Sequence, residues 1–134
     1  MSEIKTDKLT GTSTAGSILV TGEGNSTTTN LQQGLAKAWV EFNGTGTVAI
    51  SDSLNIGGLT DAGTGLYNLT FTSSMNNADF SSTGAAGENV DNGGNRMLGL
   101  RAKSTGGQNC LGFADGVSAF DCQEMCFHTM GDLA

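Results

Sequence analysis

Proline is absent from the 134 residues, and tryptophan, tyrosine and histidine occur once each. With no proline, the turns fall to 21 glycines and to numerous Asn and Ser residues. Basic residues are also scarce, six Lys and Arg against 13 Asp and Glu, giving a net charge of −7. So acidic a chain does not neutralise phosphates, which argues against a nucleic-acid partner. Its few cations are scattered and form no patch for a membrane surface. No stretch approaches the ~20 apolar residues of a membrane span, and the segment Met1–Gly11 lacks the apolar core of a signal peptide. The expectation is a chain made in the cytoplasm without membrane insertion. Three cysteines, Cys110, Cys122 and Cys126, are an odd number and argue against a disulfide framework. The simplest expectation is free thiols. The Asn-x-Ser/Thr triplets at Asn25, Asn43 and Asn68 read as chance in so Asn- and Thr-rich a chain.

Hydrophobic residues make up 37%, charged residues only 14%. Disordered chains combine high net charge with few large apolar residues. Here short apolar runs recur at regular spacing, so most of the chain is expected to fold. A core of this size is marginal for a monomer, which favours an oligomer.

Residues 1–35 read as an extended attachment arm. Ile18 to Val20 is its one expected strand, pairing with the body or a neighbouring subunit. Gly22 to Asn30 has linker composition. Asn30 to Lys37 predicts a short helical turn, with Asn30 as cap and Leu31, Leu35 and Ala38 on one face. From residue 36 the apolar period becomes two. Ala38, Val40 and Phe42 alternate with Trp39, Glu41 and Asn43. A turn at 43–46 leads to a strand over Thr47–Ser51. Leu54 to Leu59 predicts a short strand ending in a Gly-rich loop. Tyr67, Leu69 and Phe71 form the clearest alternation. A strand follows around Phe80, then a polar loop over 84–95. Strands are expected at Arg96–Lys103, at Leu111 and Phe113, and at Glu124–Met130, with Val117–Phe120 as a connection. Seven or eight short strands predict an all-β, antiparallel β-sandwich or jelly-roll knob over 36–134.

No catalytic constellation emerges, and no cofactor is expected. Cys110, Cys122, Cys126 and His128 are the residues to test as a metal site, because Cys and His ligate zinc. Their spacing matches no zinc ribbon or finger, and the expectation is no metal. The Asp residues 52, 61, 79, 91, 115, 121 and 132 mostly sit beside small turn-forming residues, so they read as turn residues. Glu88–Asn95 has the composition of a calcium loop without its ligand spacing. Trp39 lies opposite Val40 and Phe42, which marks a second buried or contacted face. Leu31, Leu35 and Trp39 are the expected oligomer contacts.

Leu31–Ile50, LQQGLAKAWVEFNGTGTVAI, is followed by Asp52-Ser53-Leu54-Asn55-Ile56 and by Gly65-Leu66-Tyr67-Asn68-Leu69-Thr70-Phe71. Next comes Met75-Asn76-Asn77-Ala78-Asp79-Phe80, and the sequence closes on Gly131-Asp132-Leu133-Ala134. In these ordered motifs the chain resembles small fibre-like proteins of tailed bacteriophages. The resemblance covers about residues 30–80 and the last few. Residues 84–126 match no motif of that group, as expected of a region that varies with the target. The resemblance implies a virion protein with a trimeric β-sandwich tip, anchored to another virion component by its arm. It departs from long fibres in having no shaft. Two placements follow: a tail-fibre or short-appendage knob contacting the host surface, with host glycan as a ligand class, or a capsid-decoration protein whose arm lies along the head. A third class, a glycan-depolymerising tailspike, requires two convergent carboxylates that the sequence does not single out.

Overall fold

The computed structural model describes residues 3–12, 18–22, 24–88 and 94–134. The chain divides into two compact units, Met1–Leu35 and Ala36–Ala134. The described residues contain eleven strands and no helix.

In the first unit β1 (Leu19–Thr21) pairs antiparallel with β2 (Thr28–Asn30). This corrects two expectations. The first strand pairs within its own unit, and the end of the Gly22–Asn30 stretch is a strand, not a linker. Three consecutive β-branched Thr residues, 27–29, favour extended backbone there. Asn25 takes the left-handed conformation, with φ of 54°, in the connecting turn. Position 23 of the expected linker lies outside the described residues. The expected helical turn is one hydrogen-bonded turn that does not propagate. Asn30 caps it: its Oδ1 accepts from Gln32 N at 2.8 Å and Gln33 N at 3.3 Å. Gly34 follows at once, and a single turn cannot offset the cost of helix nucleation.

The second unit is an antiparallel sandwich. One sheet has the order β4-β3-β11-β7: β3 (Ala36–Asn43), β4 (Ala49–Leu54), β7 (Ser81–Gly87) and β11 (Glu124–Met130). The other is built on β9 (Gly107–Ala114), which pairs β8 (Arg96–Ser104) and β6 (Leu66–Phe71), with β5 (Ile56–Gly63) beyond β6. The short β10 (Ser118–Ala119) pairs the end of β9 past the last β6 partner.

The period-two pattern selects what each strand buries. Val40 and Phe42 from β3 and Met125 and Phe127 from β11 meet Tyr67 and Leu69 from β6 and Cys110 from β9. Phe42 and Tyr67 pack edge to face at 5.1 Å between ring centroids, a favoured aromatic geometry. A second cluster at one end joins Ala38, Phe71, Met75 and Phe80. The expected polar loop over 84–95 is corrected in its first part. Residues 84–87 belong to β7, which pairs β11 along its length, while 89–93 lie outside the described residues. The expected strand around Phe80 starts one residue later, at Ser81. The strand expected over Thr47–Ser51 runs instead from Ala49 to Leu54.

Leu54–Ile56 is a corner at which the chain leaves one sheet and enters the other. Asn55 makes it with φ of 59°, a conformation Asn tolerates better than most side chains. Its Nδ2 donates to Lys37 O and Ser73 O, both at 3.0 Å, and its Oδ1 accepts from Ser73 N at 2.7 Å. One side chain thus ties the start of β3 to the end of β6. Asn55→Ala is expected to cost about 3 kcal/mol, from three lost hydrogen bonds and the left-handed backbone. Asn55→Gly, which relieves the backbone term, should cost less. Urea unfolding of the two variants checks the order.

A second tie spans the sandwich at the opposite side. Ser82 Oγ donates to Gln108 Oε1 at 2.7 Å and lies 2.9 Å from Thr129 Oγ1. Gln108 and Thr129 are buried, so each polar group needs the others.

Candidate interaction face

The sequence-predicted metal candidates are not brought together. Cys110 and Cys122 are buried in the core, whereas Cys126 and His128 alternate with Met125, Phe127 and Thr129 on β11 and lie exposed on the outer face. Burial pushes the Cys110 thiol up to about 12 and raises Cys122 as well, so both are kept protonated and inert. Among the described residues no group of three or more His, Cys, Asp or Glu is arranged to hold a metal ion. No helix there is long and apolar enough to cross a membrane.

The carboxylates likewise serve the backbone where the structure shows their partners. Asp121 Oδ1 accepts from Gly65 N at 2.5 Å and from the Tyr67 hydroxyl at 2.9 Å. The same hydroxyl donates to Gly44 O at 2.7 Å, so its one proton serves two acceptors. Burial first, then the Asp121 hydrogen bond and charge, raise the Tyr67 hydroxyl above its usual range. Gly65 has φ of +69°, and a Cβ there would lie 2.6 Å from Gly112 O and 2.7 Å from Phe120 N. No side chain fits this crossing. Asp61 accepts from Gly63 N at 2.9 Å and Asp52 from Ser53 N at 2.8 Å; both are local bonds within strands β5 and β4, which corrects the expectation that these two are turn residues. Glu88, from the calcium-like stretch, pairs instead with Arg96 at 3.1 Å, and both side chains are largely buried. The Arg96 guanidinium also stacks 4.2 Å above the Phe120 ring centroid.

What stands out instead is the outer face of β4-β3-β11-β7. Its pairing lays residues out in rows. One row runs Leu54, Trp39, His128, Thr83; the next runs Asp52, Glu41, Cys126, Ala85. Trp39 is half-buried, and Leu54 remains 48% exposed. The edge strand β7, SSTGAAG, has no large side chain and forms a shelf beside these taller residues. Two depressions result. One of about 420 Å³ is lined by Trp39, Glu41, Thr83, Ala85, Cys126 and His128 among others. An adjoining one of about 330 Å³ is lined by Ala85, Gly87, Glu124 and neighbours. A third, polar hollow of about 340 Å³ lies between Glu41, Asn43, Ser51, Gln123 and Glu124. The three share residues and form one continuous, uneven surface.

Of the expected oligomer contacts, Trp39 is on this face. Leu31 and Leu35 lie in the first unit, Leu31 half-buried and Leu35 exposed at 52%. The alternation of β3 was enough to place Trp39 opposite the core. Nothing in the run of small residues 81–87 signalled the shelf. This face mixes apolar and polar side chains around its depressions.

Searched against protein-family models, the chain matches none. Comparisons with curated proteins and with solved structures likewise find no match.

Proposed function

We propose that the chain is a structural protein of a tailed-bacteriophage virion, a trimeric knob of a tail fibre or short appendage that contacts the host surface and performs no catalysis. One observation carries this reading. The sequence segments that resemble phage fibre-like proteins supply neighbouring parts of one substructure. The end cluster takes Ala38 from the first segment, Ile56 from the second, Phe71 from the third, and Met75 and Phe80 from the fourth. The closing Gly131–Ala134 segment joins them: Leu133 bridges Met75, Asn76 N donates to Asp132 O at 2.8 Å, and Ala134 N donates to Ser74 O at 3.0 Å. The residues that carry the resemblance thus pack together in one part of the body.

The rest of the reading follows from the surfaces. Connecting loops at the ends of a rigid sandwich suit recognition of a host surface, glycan included. The first unit supplies attachment to another virion protein. Its hairpin leaves Leu19 57% and Val20 50% exposed, and an isolated two-stranded hairpin is marginal in water. The hairpin's edges suit addition to a neighbour's sheet. That feature favours the second reading, a capsid-decoration protein whose first unit lies along the head. Locating the chain's density in a virion map separates the two: a few trimers on the tail, or hundreds of copies on the capsid. Absence from purified particles overturns both.

The oligomer is tested by sedimentation. Trimers are expected for the unaltered chain. Trp39→Ala and Leu35→Asp should each weaken association about tenfold, the scale of losing a central apolar contact. A monomeric parent, or two variants with undiminished trimer content, defeats the assignment.

A further inference from the structure

We propose that the outer face of the β5-β6-β9-β8 sheet binds a glycan along a row of four polar side chains, Thr60, Asn68, Asn109 and Arg101. The inference rests on the host-contact reading above and gives the glycan a place on the sheet, apart from the end loops.

Strand register makes the row. Thr60 pairs with Asn68, Asn68 with Asn109, and Asn109 with Arg101. One residue from each strand thus stands in line over three strand spacings, roughly 14 Å. Their chain neighbours Leu59, Tyr67, Leu69, Cys110 and Leu100 pack inward, so alternation turns all four outward. Thr60 and Arg101 are exposed, and the two asparagines are half-buried.

Inside the fold this row has no use. Asn is depleted in strands, yet two stand side by side on the central strands of this sheet. None of the four side chains makes a hydrogen bond or ion pair among the described residues. Asn68 Oδ1 is, among those residues, the one buried side-chain nitrogen or oxygen without a partner. The buried Gln108 amide, by contrast, has Ser82. An orphaned polar group is rare enough to need a reason, and a ligand supplies one. Rotation about χ2, which is soft in Asn, turns the oxygen outward to meet it.

The chemistry of the row selects the ligand. Amides and hydroxyls both donate and accept, and they recur here once per strand, as hydroxyls recur along a sugar chain. The adjoining row holds the half-buried Leu66 and Leu111 beside Gly99, an apolar strip for the C–H face of a sugar ring. Arg101 is the one charge at the outward paired positions, so a cationic ligand finds no counter-charge. Its fork suits ring hydroxyls or the carboxylate of a sugar acid. Ala102, directly after it, has φ of 47°, and the ladder shifts register between Arg101 and Ser104. Irregularities of this kind re-aim a side chain.

The test has two readouts. Labelled full-length chain is applied to an array of bacterial surface polysaccharides, some neutral and some bearing uronic acids. Binding to at least one is expected, and the arm that responds shows whether Arg101 reads hydroxyls or carboxylate. The double variant Asn68→Val, Asn109→Val should lower affinity for that polysaccharide at least about tenfold in calorimetry, the scale of two lost hydrogen bonds. The same variant should raise the urea midpoint, because it removes an unpaired buried amide and adds strand-favouring side chains. A lowered midpoint would mean that the asparagines serve the fold, and overturns the proposal. Undiminished binding by the double variant would put recognition on the end loops and overturns it too. A chain located on the phage tail that binds no polysaccharide on the array fails this inference alone, whereas absence from purified particles fails the host-contact reading.

Discussion

Raising the pH from 8 to 11 in the presence of reductant is expected to lower folding stability by about 3 kcal/mol through Cys110 alone. The thiol is fully buried, and burial pushes it from its ordinary 9.0 up to about 12. Between those values the unfolded chain has released a proton that the folded chain still holds. The folded state then binds more protons, so its stability falls as pH rises, by about 1.4 kcal/mol per pH unit for each such group. The contribution is whole below pH 9. Tyr67 and Cys122 are displaced in the same direction, by burial first, and Tyr67 adds its slope above about pH 10, the ordinary phenol value. Against a total of about 5–15 kcal/mol for a domain, this is a substantial fraction of the stability. The measurement is the urea midpoint at half-unit steps from pH 8 to 11. Cys110→Val, which cannot titrate, should flatten the fall between pH 9 and 10. A midpoint constant to pH 10.5, or a slope that Cys110→Val leaves unchanged, contradicts the account.

Gly84→Ala is expected to abolish the folded body or cost at least ~4 kcal/mol, the range reserved for severe overpacking. Gly84 lies on β7 opposite Phe127 of β11. A Cβ there would overlap Cys126 O, and it would lie 2.5 Å from Leu98 Cδ2 and 2.6 Å from Phe127 Cβ. Two of these three are backbone or near-backbone atoms that a rotamer change cannot move. Leu98 belongs to β8 of the other sheet, so this position is also where the two sheets approach along one edge of the sandwich. Ala85→Ser, next in sequence but on the outer face, is the matched control and should be neutral within about 0.5 kcal/mol. Soluble yield and thermal midpoint distinguish the pair. Equal midpoints for both variants would show that the edge has slack.

The alternation of Ala38, Val40 and Phe42, and of Tyr67, Leu69 and Phe71, was enough to read β3 and β6 and their buried faces, because large apolar side chains mark period two unambiguously. The same logic caught only the start of β7, through Phe80, because the Ser, Thr, Gly and Ala residues over 81–87 carry no apolar period to detect. That strand exists because β11 offers it a full edge of hydrogen bonds and Leu98 packs close to Gly84, both of which are tertiary facts. It failed again for β2, a short Thr-rich strand that composition alone reads as linker. The two cross-sandwich ties were equally hidden. Gln108, Ser82 and Thr129 are polar residues from separate strands, and only the fold makes them neighbours. The candidate face was half legible: Trp39 could be placed by parity, but not the shelf beside it. Asp121 looked like one turn residue among several, although it anchors Tyr67 and Gly65 from more than fifty positions away.

The position of β3 has a mechanical consequence. It is the first strand of the body, directly following the unit proposed to attach the particle, and it is paired on both sides, by β4 and by β11. A pull transmitted from Leu35 along the axis of β3 would not peel an edge strand one hydrogen bond at a time. It would load two ladders at once in shear, with Asn55 pinning Lys37 at the point of entry. The body's first strand is thus an interior strand of its sheet, and its rupture requires many bonds to fail together.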